Sequence, residues 1–170
     1  MKNTEKFDLI VKVEEKDAKD EYDEEKVIEQ LGKQINNSTS YFIKETEFFN
    51  IFMVELSKND FNTSLKLAKA SSNRDYEMIP IESVVLTRPG KILNQIINIS
   101  KNKINSGDTF SIRCNIRGRR YIKNKEKFIN IISREIVKLN GRPDETRPDW
   151  IIHIEVIGEN TGVSVLKRNI

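Results

Sequence analysis

Phe7, Leu9, Val11 and Val13 are spaced two residues apart, which places them on one face of a pleated strand. An acidic stretch from Glu14 to Glu25 follows, and Asp23 is the expected N-cap of a helix running to about Asn36. Within that helix Val27 or Ile28, Leu31 and Ile35 recur at helical spacing, and acids at its start complement the positive end of the helix dipole. Phe48 to Leu56 reads as a buried strand, and a helix from about Asp60 to Ala70 aligns Phe61, Leu65 and Ala68. The run from Met78 to Leu86 reads as a further strand, with Pro80 confining it to an edge or a bulge. Strand, helix, strand, helix, strand in this order predicts a small ferredoxin-like sheet with helices on one face.

A second pattern opens at Thr87-Arg88-Pro89-Gly90. Pro89, near the first helical position, starts a helix carrying Ile92, Ile96 and Ile99, which Asn105-Ser106-Gly107-Asp108 ends. From Phe110 the alternation is clean: Phe110, Ile112, Cys114 and Ile116 point to a core, and Ser111, Arg113, Asn115 and Arg117 point away from it. After Gly118 a helix from about Asn124 to Leu139 aligns Phe128, Ile132, Ile136 and Leu139, and Asn140-Gly141 supplies its stop. Trp150 to Ile157 and Gly162 to Lys167 read as two well-buried strands joined at Gly158-Glu159-Asn160. The class is therefore α/β (α+β), with two domains expected over residues 1–87 and 88–170. No internal repeat accompanies them.

Charge separates the same two halves. Residues 1–87 hold 12 basic and 18 acidic side chains, a net of −6, and residues 88–170 hold 17 and 8, a net of +9. The overall +3 hides this contrast. A basic module attracts polyanions through its summed field, and phosphate backbones are the abundant polyanions of the cytosol. No signal-peptide pattern and no apolar run of membrane-helix length occurs, so a cytoplasmic chain without membrane contact is expected. A single cysteine, with no CxxC or Cys/His cluster, agrees with a reducing compartment and offers no zinc site.

The densest chemistry lies between Thr109 and Lys125. Arg113, Arg117, Arg119, Arg120, Lys123 and Lys125 occur there without an acid, and Tyr121 sits among them. Arginine presents a planar fork that matches phosphate, and tyrosine can stack on an unpaired base. The candidate RNA-binding residues are therefore Arg113, Arg117, Arg119, Arg120, Tyr121, Lys123, Lys125 and Lys127. The plainer reading is a solvated basic edge strand, protected from aggregation by its charge. The acidic stretch lacks the central glycine and terminal bidentate glutamate of a calcium loop and reads as a flexible turn, or as a face for a basic protein. One histidine, His153, excludes mechanisms that need a His pair, and on an alternating strand it reads as structural. Cys114 reads as a buried inert thiol, Glu155 as a weak acid–base candidate, and neither GxxxxGK[ST] nor GxGxxG is present. No catalytic residue and no cofactor is expected.

Residues from about Ile92 to Leu166 resemble a THUMP domain. The resemblance rests on Thr109-Phe110-Ser111-Ile112-Arg113 followed by arginines, on the helix after it, and on Pro148-Asp149-Trp150-Ile151-Ile152-His153-Ile154-Glu155-Val156. It implies binding of structured RNA, usually tRNA near its acceptor end, and a ferredoxin-like module commonly precedes it. With no segment left for an enzyme domain, the layout is similar to the adaptor of tRNA N4-acetylcytidine formation. That adaptor works with a separate RNA cytidine acetyltransferase, to which acetyl-CoA and ATP would belong. Two segments depart from the family: Arg142 to Arg147 stands where a short apolar strand is common, and Tyr121 to Lys125 keeps the charge without a motif. A different class of reading makes the first half a small-ligand regulatory module and the second a protein-docking domain.

Overall fold

Backbone hydrogen bonds sort the strands into two sheets, and the chain into two units: Lys6–Ile81, and the chain from Glu82 onward with the residues just before Lys6. The computed structural model describes residues 3–14, 24–36, 39–57, 60–71 and 76–168. The acidic turn over 15–23, including the expected cap Asp23, lies outside them.

The first unit contains β1 (Leu9–Val13), α1 (Glu24–Asn36), β2 (Tyr41–Glu45), β3 (Ile51–Leu56), α2 (Phe61–Ser71) and β4 (Tyr76–Pro80). Its sheet has the order β2-β3-β1-β4, antiparallel throughout. The element order is that of the ferredoxin-like split βαβ. Leu9, Val11 and Val13 meet Phe52, Val54 and Leu56 across the strands, and Leu31, Ile35 and Leu67 cover them from the helices. Pro80 closes β4 at the sheet edge, where the missing N–H is harmless.

Local details depart from the periodic reading. β2 was not expected: it is an edge strand whose Phe42 points to solvent, so its alternation carries little apolar signal. β3 starts at Ile51 rather than Phe48, because Thr46 builds a turn, its hydroxyl accepting from the Phe48 N–H (3.1 Å) and reaching the Ile51 carbonyl (2.8 Å). Asn50 completes that turn at φ +61, a left-handed conformation that asparagine tolerates better than most residues. In α2 the buried stripe is Ser64, Leu67 and Ala68, rotated from the predicted Phe61, Leu65 and Ala68.

The second unit contains β5 (Ser83–Leu86), α3 (Pro89–Ser100), β6 (Thr109–Arg117), α4 (Lys125–Lys138), β7 (Arg142–Pro143), β8 (Trp150–Ile157) and β9 (Asn160–Lys167). The strand predicted over 78–86 is thus two strands in different sheets. Ile81 N–H bonds to Asp8 in the first unit, while Glu82 N–H bonds to Val163 in the second, so the boundary falls ahead of the division expected at Thr87, where the strand-like run gives way to Pro89-Gly90. The sheet order is β5-β9-β8-β6-β7, mixed: β6 runs parallel to β8 and β7, and the other pairs are antiparallel. Parallel neighbours need a crossover, and α4 provides it between β6 and β8. Even the polar pair Arg142-Pro143 forms the short strand that stands before the Pro148-Asp149 pair.

Both helices cover one face of this sheet. Ile92 and Ile96 of α3 and Phe128, Ile132 and Ile136 of α4 pack on Phe110, Ile152, Ile154, Val163 and Val165. Full burial of each such side chain stabilises the unit by roughly 1.5–3 kcal/mol. Asn124 caps α4 by accepting the Lys127 N–H at 3.0 Å. At the other end Asn140 takes the left-handed conformation, and a Cβ on Gly141 would lie 3.0 Å from Ile136 and 3.1 Å from Phe110.

Candidate nucleic-acid interface

β6 delivers the chain to Gly118, whose φ of +86 would cost other residues about 1–2 kcal/mol. From there the loop over 118–124 leads into α4, anchored by Ile122, which is buried in the core. Around that anchor Arg119, Arg120 and Lys123 are exposed, and Lys125 and Lys127 continue the exposed cations onto the first turn of α4. Among the described residues, Arg119, Lys123, Lys125 and Lys127 have no ion-pair partner. Five of the predicted residues therefore share one end of the unit.

The other three have different surroundings. Arg117 is not a free cation: its guanidinium donates to Glu155 at 2.7 Å, with the two side chains 13% and 0% exposed. Asn115 donates to the second oxygen of the same carboxylate at 2.9 Å. Arg117 therefore neutralises a buried acid of β8, and Glu155 is a structural partner with no solvent face for acid–base work. Arg113 is exposed but lies four residues back along β6, roughly 13 Å from Arg117 at strand rise. Tyr121 does not present two open faces for a base. The Arg88 guanidinium sits 3.9 Å from its ring centroid and that of Arg120 at 5.3 Å, and its hydroxyl donates to Glu159 at 3.3 Å.

Arg88 and Glu159 are the site residues that sequence reading missed. Arg88 precedes α3, and Glu159 lies in the β8–β9 turn, so only the fold brings them to the basic loop. The available signal was topological, since loops at the carboxyl ends of parallel strands gather at one place. Backbone bonds fix the arrangement: Gly158 N–H to the Arg117 carbonyl at 2.9 Å, and Thr87 N–H to the Glu159 carbonyl at 2.8 Å.

His153 pairs in register with Arg113 and is buried. Burial, and then the positive charge of Arg113, push its pKa down to about 4, so the ring is neutral at neutral pH. Burial likewise pushes the Cys114 thiol up to about 11, leaving it without appreciable thiolate. At the opposite end of β6, Asp149 accepts from the Thr109 N–H (2.8 Å) and hydroxyl (3.0 Å), and Trp150 donates to Asp108 at 3.0 Å. The Pro148-Asp149-Trp150 segment thus stitches β8 to β6. A cavity of about 310 Å³ opens beside it, between Trp150, Lys167 and Arg168.

The second unit is a mixed α/β domain that carries a basic loop at the carboxyl end of β6. It is a THUMP domain: residues 90–166 match the model of that family. Among solved structures the whole chain is similar to PH1313 from Pyrococcus horikoshii Ot3, with TM-score 0.72 and 14% identity over 95% of this chain and 54% of that one. It is also similar to a 4-thiouridine synthetase solved as an RNA complex with bound ATP (TM-score 0.63, 16% identity, 95% and 41% covered). A third similar structure is TrmN from Thermus thermophilus (TM-score 0.56, 10% identity, 92% and 44% covered). At these identities the likeness is one of fold, and the chain spans 41–54% of the length of those three proteins. No curated protein matches the chain. Among the described residues no helix is long and apolar enough to cross a membrane.

Proposed function

We propose that the chain binds tRNA through its THUMP domain and presents it to a separate modifying enzyme in the cytoplasm. The observation that carries this reading is the loop and helix turn over 118–127, where Arg119, Lys123, Lys125 and Lys127 are exposed and, among the described residues, without carboxylate partners. Unpaired cations at a fixed spacing suit a phosphate backbone, and sequence-independent contacts of this kind read shape rather than base order. The THUMP match and the fold likeness to a synthetase solved with RNA support the same reading. The chain supplies no catalytic group. Its enzyme partner is an RNA cytidine acetyltransferase forming N4-acetylcytidine, which holds the acetyl-CoA and ATP.

A salt titration tests the RNA step. Binding to tRNA should weaken with salt with a log–log slope of roughly −3 to −4.5, from four or five phosphates neutralised at about 0.7–0.9 each. Trimming the single-stranded 3′ end should weaken binding further. Absence of binding at low salt would overturn the proposal. The enzymatic step is read by acetate incorporation into tRNA, which should need the acetyltransferase and this chain together.

A further inference from the structure

Four side chains from three separate loops meet beside the basic stretch: Arg88 before α3, Arg120 and Tyr121 after β6, and Glu159 in the β8–β9 turn. The Arg88 guanidinium lies over Tyr121, 3.9 Å from the ring centroid, and one terminal nitrogen donates to the Thr87 carbonyl at 2.8 Å. These two contacts hold the guanidinium in place, yet no carboxylate pairs with it among the described residues. Arg120 is held differently. Its guanidinium reaches the Glu159 carboxylate at 3.6 Å, on the same oxygen that accepts the Tyr121 hydroxyl. The Arg120 side chain is 76% exposed, so the pair is solvated and exchangeable.

Resting on the tRNA-binding reading above, we propose that Arg88 is an RNA phosphate ligand pre-aligned by Tyr121, and that Glu159 competes with the RNA for Arg120. A stacked guanidinium has little rotamer freedom left to lose, so its donors reach a phosphate at lower entropic cost than a free side chain would. Glu159 presents its oxygen to Arg120 where a phosphate oxygen would bind. On RNA binding Arg120 exchanges the carboxylate for a phosphate, and Arg88 keeps its stack. Tyr121 is then a positioning residue rather than a base platform. The pair also makes affinity tunable at one acid: loss of that carboxylate releases Arg120 and removes a negative charge next to the incoming phosphate.

The test uses the full chain and total tRNA, with binding followed against salt and folding followed by thermal melting. Arg88→Gln should weaken binding about tenfold and reduce the magnitude of the salt slope by about one. Arg88→Lys, which keeps the charge and loses the planar stack, should fall between Arg88→Gln and wild type. Glu159→Gln should tighten binding about threefold or more. Glu126→Gln, which removes an exposed acid from the first turn of α4, measures the long-range charge effect alone. If the wild type binds tRNA and Arg88→Gln, still folded, binds with the same affinity and slope, Arg88 is no ligand although the tRNA reading stands. Equal tightening by Glu159→Gln and Glu126→Gln would refute the competition. No binding by the wild type would instead remove the functional reading itself.

Discussion

Replacing Arg117 by alanine should unfold the second unit at a much lower temperature, although the residue looks like a member of a surface basic patch. Its guanidinium is 2.7 Å from Glu155, a side chain with no exposure, and among the described residues the only other side-chain partner of that carboxylate is Asn115. The substitution strands a buried charge, which typically costs about 3–5 kcal/mol. A unit of this size loses about 4–8 °C of Tm for each kcal/mol, so the expected drop is at least about 12 °C. Trp150 is the sole tryptophan and sits in the second unit, so its fluorescence reports that unit's melting. Adding Glu155→Gln to the Arg117→Ala background removes the stranded charge and should recover at least about half of the loss. Arg119→Ala, at an exposed position without an ion pair among the described residues, should change stability by less than about 0.5 kcal/mol. An Arg117→Ala melt within about 2 °C of wild type would show that Glu155 is not a charged buried partner. Neutralising Arg117 together with Arg119 and Arg120 would therefore mix an effect on folding with any effect on RNA binding.

Two further outcomes follow from the buried titratable groups. His153 has a folded pKa of about 4 against an ordinary 6.5, so as pH falls the unfolded chain takes up the proton first and stability is lost between about 6.5 and 4. Urea unfolding at pH 7 and pH 5 should differ by about 2 kcal/mol from this residue, a difference that His153→Gln removes; an unchanged difference in the variant would contradict it. Cys114, with its pKa near 11, should resist a thiol reagent at pH 8 in the folded protein and react once denatured. Rapid modification under native conditions would mean that the β6 core opens readily.

The strongly periodic elements were legible in the sequence. β6 and α4 follow the predicted alternation and helical stripe because one face of each packs on the core, and β8 is buried along its whole length as its apolar run predicts. β2 escaped notice because none of its five side chains is fully buried, and Phe42 on its outer face blurs the pattern. The split at Ile81-Glu82 was hidden because each half satisfies its backbone in a different sheet while the apolar run continues across. In the site, composition located the cations of the loop. It could not separate Arg117 from Arg119, since what distinguishes them is Glu155 on a strand brought alongside by parallel pairing. Arg88 and Glu159 were equally invisible, being tied to Tyr121 only through loops that meet at the end of the sheet.

Amide hydrogen exchange of the chain with and without tRNA tests the central claim most directly, because it reports where the RNA lies without any substitution. Exchange should slow over residues 118–127 and 88–92, with little change along the first unit's sheet. Protection confined to the first unit, or to the Trp150 end of β8, with the 118–127 stretch unaffected, would contradict the placement of the RNA on the basic loop.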